Sequence, residues 1–214
     1  LSLTVAYDSK VNYDDIFSQV RVWDTLIANH LMQKNICVPP REEHSKETKY
    51  EGAYVKEPIL GGHNWIVSFD INSLYPHIII QYNISPEKIL GESSHGINVN
   101  RMIDMSVPLN YLKTEGACVT PNGAKFKNDS QGFLPEMMEK MYNDRVVFKK
   151  RMIKAKKEYE KTKDPKLVKE IARCHNIQWS KKIALNSAYG AVGNQYFRYY
   201  DVRQASGITT AGQF

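Results

Sequence analysis

The chain has 214 residues, 42% hydrophobic and 24% charged, a composition that excludes collagen-like, mucin-like and wholly disordered proteins. No apolar run approaches the ~20 residues of a membrane span, and the first residues lack the basic-then-apolar order of a signal peptide. Basic residues outnumber acidic ones by 29 to 23, and three cysteines without a CxxC spacing favour a reducing compartment.

The first predicted elements are one or two amphipathic helices within residues 13–36. Apolar residues recur there at helical spacing, namely Ile16, Val20, Trp23, Ile27 and Leu31. The pattern ends near Pro39 and Pro40. Residues 41–51 are charged and poor in apolar side chains, so a loop is expected over that stretch.

A β-rich run, WIVSF at residues 65–69, predicts a buried strand that ends at Asp70. The following LYPHIIIQYN predicts a helix in which Pro76 occupies the first turn, where proline is tolerated. A carboxylate between strand and helix suits a hard cation such as Mg²⁺. The free helix amides near residues 73–75 suit a phosphate. Taken alone, helix capping by Asp70 is the commoner alternative.

The second half predicts a β-hairpin and then two long helices. Residues 84–115 have an irregular pattern, whereas Asn122-Gly123 between two short β-prone runs favours a tight hairpin turn. Helices are expected over residues 134–162 and 166–188, because Asp164-Pro165 interrupts an otherwise helical composition. Two such helices form an antiparallel αα-hairpin.

Positive charge is concentrated on this hairpin. Residues 145–182 contain 14 basic and 4 acidic side chains, a local net charge of +10. Arg145 and Lys149 share one helix face, and Lys182, Asn186 and Tyr189 share another. A polyanionic ligand and a solvated basic surface both account for this pattern.

Four segments resemble motifs of the family B DNA polymerases. Motif A of that family, DxxSLYPxII, is similar to SFDINSLYPHII, and motif B, KxxxNSxYG, is similar to KKIALNSAYGAVGN. The YxGG/A element is similar to YEGAY, and the first fingers helix is similar to QGFLPEMMEKMYNDRVVFKKRM. The motifs lie in the family's order over essentially the whole chain. Flanking segments such as NISPE are typical of T-even-type bacteriophage polymerases.

The resemblance implies an α+β fold. A partial palm with a short, mainly antiparallel sheet and helices would accompany fingers made of two long antiparallel helices. The implied divisions are a connecting segment after the exonuclease region (1–49), the first palm part with motif A (50–130), the fingers with motif B (131–193) and the start of the second palm part (194–214).

The resemblance also implies roles for the motif residues. Asp70 and Lys182 are the expected catalytic residues, and Asp70 with the carbonyl of Ile71 would bind Mg²⁺, two ions being expected in the complete enzyme. The nucleotide would be bound by Ser73, Leu74, Tyr75, Arg145, Lys149, Lys182 and Asn186. Tyr75 would pack on the sugar and exclude a 2′-hydroxyl. Tyr189 would sense the nascent base pair, and Gly52 and Ala53 of YEGAY would lie near DNA.

The implied function is nucleotidyl transfer from a dNTP to a primer 3′ end, within a larger replicative polymerase in the cytoplasm of a phage's bacterial host. The implied partners are primer-template DNA, dNTPs, a sliding clamp and the rest of the polymerase, including its exonuclease and thumb. No YxDTDS segment with the second catalytic carboxylate is present, and neither end resembles a natural boundary, so the isolated chain is expected to be inactive. The alternatives are a non-catalytic nucleic-acid-binding module and one piece of a split polymerase.

Overall fold

Helices dominate the computed structural model, which describes residues 1–43, 52–53, 55–107, 110 and 116–214. The helices are α1 (Ser2–Ser9), α2 (Gln19–Gln33), α3 (Leu74–Gln81), α4 (Val99–Ile103), α5 (Phe133–Thr162), α6 (Pro165–Val192) and α7 (Val202–Gln213). The strands are β1 (Ile89–Glu92), β2 (Ala117–Val119) and β3 (Ala124–Lys127). None of the helices in the described residues has the length and apolar composition needed to span a lipid bilayer.

The predicted αα-hairpin is confirmed in α5 and α6, which pack against each other. Lys163 ends α5 in the left-handed conformation, with φ 56°. Asp164 then caps α6, because its side chain accepts a hydrogen bond from the Lys166 amide at 2.9 Å. Pro165 fills the first helical position, where no amide donor is needed. The sequence therefore fixes a sharp reversal between the two helices.

The three strands form one antiparallel sheet in the order β1-β3-β2. Cys118 pairs with Phe126, whose side chain is fully buried. Gly123, at φ 86°, allows the tight turn between β2 and β3, as predicted. The prediction of an irregular chain over residues 84–115 was only partly right, because β1 and α4 form within it. The α+β fold class is confirmed.

The predicted strand at residues 65–69 is wrong. The run is unpaired, Trp65 takes the left-handed conformation at φ 59°, and Trp65 is 99% exposed and Phe69 90% exposed. A strand needs a hydrogen-bonded neighbour, and the described part of the chain places none beside this run. Exposed large apolar side chains occur throughout residues 55–71, hereafter the exposed run, namely at Val55, Ile59, Leu60, Trp65, Ile66, Val67, Phe69 and Ile71.

The main core lies where α2, α3 and α7 pack around the N-terminal part of α5 and the C-terminal part of α6. Its fully buried members include Ile79, Met138 and Ile208. The apolar face predicted for α2 is confirmed at Trp23, Ile27 and Leu31, which are buried. The Trp23 indole Nε1 donates to the Ala184 carbonyl and to the Ser187 hydroxyl, both at 3.1 Å. This ring therefore connects α2 to the middle of motif B.

Truncating Trp23 is expected to destabilise the chain strongly. Trp23→Ala opens a cavity and should lower the free energy of unfolding by about 3–5 kcal/mol. Trp23→Phe keeps most of the packing but loses the indole hydrogen bonds, so about 1–2 kcal/mol is expected. Urea unfolding measures both changes. Trp65→Ala is the matched control, because an exposed ring should change stability by less than about 0.5 kcal/mol. Equal losses at the two tryptophans would contradict this core.

His30 is expected to make stability fall in mild acid. Burial lowers the pKa of His30 from 6.5, although Glu136, whose carboxylate lies 3.5 Å from Nε2, opposes the shift. The folded state thus favours the neutral ring, whereas the unfolded state gains a proton near pH 6.5. The free energy of unfolding should be highest above pH 6.5 and decrease as pH falls through the lower folded-state pKa. Urea unfolding between pH 7.5 and about 5 measures how the free energy of unfolding depends on pH, and this dependence should be weaker in His30→Gln than in the wild-type chain. An unchanged pH dependence would contradict the assignment.

Candidate functional site

A cavity of about 440 Å³ lies between the start of α3 and the facing sides of α5 and α6. Residues 70–76 form one wall. Arg145 from α5, and Lys182 and Asn186 from α6, form the other. Three parts of the chain that are distant in sequence are thus brought together by the packing of α3 on both long helices.

The N-terminus of α3 opens into this cavity. Ser73 precedes the helix in the left-handed conformation, at φ 53° and ψ 47°, and its side chain does not cap the helix. Its carbonyl instead accepts a hydrogen bond from the His77 amide at 3.1 Å. A non-glycine residue in this conformation is uncommon and is often found at functional sites. The first helical amides, at Leu74 and Tyr75, therefore face a site suited to an anion.

Two cations oppose that helix terminus. Arg145 and Lys182 form no ion pair with any carboxylate among the described residues, although the chain pairs several other cations. The Nε atom of Arg145 is buried and has no hydrogen-bond partner in the described structure. Buried polar atoms are nearly always hydrogen-bonded, so an unsatisfied guanidinium nitrogen at a cavity indicates a place for an anionic ligand. The wall opposite α3 is thus electropositive, and its cations are available to bind an anion.

An indole ring lies against one of these cations. The Lys182 ammonium is 4.7 Å from the centre of the Trp179 ring, a cation–π contact. His175 stacks on the same indole, with ring centres 5.9 Å apart and planes within 12°. Trp179 is not among the residues predicted from the sequence, although its position three residues before Lys182 places the two on one helix face.

The aromatic ring of Tyr75 is held from two sides. Its ring centre is 4.8 Å from that of Tyr189, with the planes tilted by 48°. Gly212 of α7 lies so close that a Cβ there would be 3.3 Å from Tyr75 Cε1. Gly212 could not be predicted as a site residue from the sequence, because its relation to Tyr75 depends on the packing of α3 against α7. The ring consequently has little freedom to leave the cavity wall.

The remaining predicted residues lie around the cavity. Lys149 is exposed on α5 and does not line the cavity. Tyr189 does not line it either, but its ring packs on that of Tyr75, which does. Gly52 and Ala53 are exposed, and the Gly52 carbonyl accepts a hydrogen bond from Gln213 Nε2 at 3.1 Å. The other three residues of YEGAY lie outside the described residues.

The oxygen atoms at the cavity suit a magnesium ion that arrives with a nucleotide. Asp70 lines the cavity as an exposed carboxylate, and Ile71 follows it. Within the described ranges, no three His, Cys, Asp or Glu side chains gather into a metal-binding cluster. Mg²⁺ commonly binds through one or two carboxylates together with substrate phosphates and water. One carboxylate beside an anion site therefore fits such an ion, with the phosphates as further ligands.

Comparisons with known proteins agree on one family. A sequence model described as DNA polymerase family B matches residues 15–213. The DNA-directed DNA polymerases of Escherichia phage RB69 and Enterobacteria phage T4 are 32% and 31% identical over this whole chain, which spans 28% of either protein. DNA polymerase 1 of Pyrococcus abyssi is 32% identical over 82% of the chain. The solved family B DNA polymerase of Pyrobaculum calidifontis matches 98% of the chain, with a TM-score of 0.68 and 24% identity, and the match covers 24% of that structure.

Proposed function

The chain belongs to DNA polymerase family B, and from this we propose that it supplies the nucleotide-binding part of a DNA-directed DNA polymerase. The reaction would transfer dNMP from a dNTP to the 3′ end of a primer on a template and release pyrophosphate. One observation carries the proposal. A single cavity combines the carboxylate of Asp70, the open N-terminus of α3 and the cations Arg145 and Lys182.

Each part of the cavity would bind one part of a triphosphate. The amides at Ser73 and Leu74 would donate hydrogen bonds to the β- and γ-phosphates, and Arg145 and Lys182 would neutralise their charge. Lys149, exposed one turn beyond Arg145, would join them if α5 and α6 move towards α3. Phosphoryl transfer depends mainly on such positioning and charge neutralisation. Lys182 would stabilise the charge that develops on the leaving phosphates.

The metal would be held by Asp70 and the Ile71 carbonyl. When bound, Mg²⁺ supplies charge neutralisation at the phosphates and lowers the pKa of the primer hydroxyl, and the complete enzyme would use two ions. Asp70 would provide one ligand common to both ions. The second carboxylate would come from a YxDTDS segment that these 214 residues do not contain.

The other wall would select the nucleotide. Tyr75 would pack against the sugar and leave no room for a 2′-hydroxyl, because Tyr189 and Gly212 hold its ring. Asn186 and Tyr189 would lie beside the nascent base pair, and Gly52 and Ala53 beside the DNA backbone. An RNA polymerase is a weaker interpretation, because the Tyr75 ring would exclude the 2′-hydroxyl of a ribonucleotide.

We also propose the division into a connecting segment (1–49), palm (50–130), fingers (131–193) and the start of the second palm part (194–214). The chain would work with the rest of the polymerase, including an exonuclease and a thumb, on primer-template DNA with a sliding clamp. Its phage relatives support a place in the host cytoplasm.

The isolated chain should lack polymerase activity, since its cavity contains a single carboxylate. The test is primer extension by the purified chain with Mg²⁺ and dNTPs, with Asp70→Ala alongside. No extension is expected until a second chain carrying the YxDTDS segment is added, and the restored extension should then require Asp70. Extension by the first chain alone that Asp70→Ala abolishes would overturn the proposal of inactivity. Complemented extension that survives Asp70→Ala would overturn the catalytic assignment.

The basic hairpin supports a second candidate, a non-catalytic nucleic-acid-binding module. The local charge of +10 over residues 145–182 would attract a nucleic acid without any nucleotide site. Such a module would bind DNA in a salt-dependent manner and would show no affinity for Mg²⁺–dATP. A measurable dATP affinity that Lys182→Ala removes favours the polymerase fragment.

The exposed run supports a further alternative, one piece of a split polymerase, because a partner chain would cover these apolar side chains.

A further inference from the structure

Trp179 and Lys182 form a contact that differs from the ion pairs of the chain. The ammonium group of Lys182 lies 4.7 Å from the indole centre, and no carboxylate pairs with it among the residues described. By contrast, Lys88 pairs with Asp129 at 2.8 Å. Arg198 similarly pairs with Asp24 at 2.7 Å. Lys182, one of the two cations that line the cavity, is therefore held by a neutral ring.

We propose that Trp179 is a positioning residue that holds the Lys182 ammonium at the nucleotide cavity without neutralising its charge. This inference rests on the proposed function, because it assigns Lys182 to the triphosphate. A carboxylate in the place of the indole would hold the lysine as well, but it would compete with the phosphates for the ammonium. The aromatic face attracts a cation through its quadrupole and leaves the net positive charge available to an incoming anion.

The environment of Trp179 argues for this role rather than for core packing. The side chain is 38% exposed, and it does not belong to the main buried cluster of the fold. Its ring is instead oriented by the nearly parallel ring of His175, one turn away on α6. The three side chains form a row that ends at the cavity.

A lysine side chain benefits from such a contact because it is flexible. Its rotamers cost free energy to fix when it binds a ligand, and a side chain already confined near the site loses less on binding. The confinement should strengthen binding by about three- to tenfold, the size of a partly exposed cation–π contact.

The chain provides a matched control. Lys163 lies 5.5 Å from the ring centre of Tyr159 at the far end of α5, a second cation–π contact on the same hairpin. Neither residue lines the nucleotide cavity. Removing the Tyr159 ring should therefore disturb a similar contact without changing nucleotide binding.

The test is titration of Mg²⁺–dATP into the wild-type chain and its variants by calorimetry. Trp179→Leu is expected to weaken binding by about three- to tenfold, whereas Trp179→Phe, which keeps an aromatic face, should stay within about twofold of wild type. Tyr159→Leu should have no effect. In a Lys182→Met background, Trp179→Leu should cause no further loss. An equal loss in that background, or no rescue by phenylalanine, would overturn the positioning role.

A second readout does not depend on nucleotide binding. The ε-methylene protons of Lys182 should show an upfield NMR shift from the indole ring current, and Trp179→Leu should remove it. Absence of that shift would overturn the contact and the inference with it. A shift without any dATP affinity in the wild-type chain would instead refute the proposed function, and the positioning role would fall with it. Wild-type affinity that Trp179→Leu leaves unchanged would refute the inference alone.

Discussion

Lys182→Met weakens the binding of Mg²⁺–dATP by about 10- to 100-fold, and Arg145→Met has an effect of similar size; these are the expected results of calorimetric titration. Both side chains line the cavity without a carboxylate partner in the described structure. Each methionine removes a charge-assisted hydrogen bond to a phosphate while keeping most of the side-chain volume. The loss for Arg145 includes the buried Nε donor, which has no partner in the described chain.

Lys157→Met is the matched control for these two variants. Lys157 is an exposed lysine on α5 that does not line the cavity, so its loss changes the net charge by the same amount. Long-range attraction is screened at physiological salt, and this variant should therefore bind dATP within about twofold of wild type. Equal losses in all three variants would show that general charge, rather than the cavity, attracts the nucleotide.

Tyr75→Ala is expected to remove most of the preference for dATP over ATP. The Tyr75 ring is fixed by Tyr189 at 4.8 Å and by the close approach of Gly212, so a ribose hydroxyl cannot displace it without disturbing α7. Alanine would leave space for the hydroxyl. The ratio of the two dissociation constants should fall by about 10- to 100-fold, mainly through tighter ATP binding. Titration with the two nucleotides under the same Mg²⁺ concentration measures the change.

Tyr75→Phe separates the ring from its hydroxyl group and should keep the preference. Because Tyr75 also packs against the main core, urea unfolding of each variant must accompany the titrations. Tyr7→Ala removes an exposed tyrosine on α1, so it should alter neither stability nor sugar preference. Unchanged discrimination in a folded Tyr75→Ala chain would exclude the ring as the sugar filter.

Local signals predicted the parts of the fold that depend on neighbouring residues. Asp164 and Pro165 end one helix and begin the next through their own backbone preferences, and Gly123 allows its turn in the same way. The run at residues 65–69 shows the limit of this reasoning. Its β-branched and aromatic residues favour an extended chain, but a strand also requires a partner, which local composition cannot reveal.

The candidate site likewise contains residues that the local sequence predicts and residues that only tertiary packing brings there. Residue types and spacings that resemble known motifs were enough to predict Asp70, Arg145 and Lys182 as site residues. In the structure all three line one cavity. The supports around them were not predicted. Gly212 touches Tyr75 only because α7 packs on α3, and Trp23 reaches α6 across 161 residues of sequence. Such pairings depend on tertiary packing, which a single sequence does not specify locally.

The exposed run also determines where the chain is vulnerable. Proteases bind their substrates as extended chains. Residues 65–69 have no strand neighbours among the described residues, and Trp65 and Phe69 are exposed, so this stretch is free to adopt the conformation that a protease binds. Among the described segments, chymotrypsin should therefore cut here first, separating the residues before α3 from both long helices. Any partner that covers this run would lengthen the lifetime of the chain in a cell. Abundance would then follow assembly, because an unassembled chain would be degraded sooner than an assembled one.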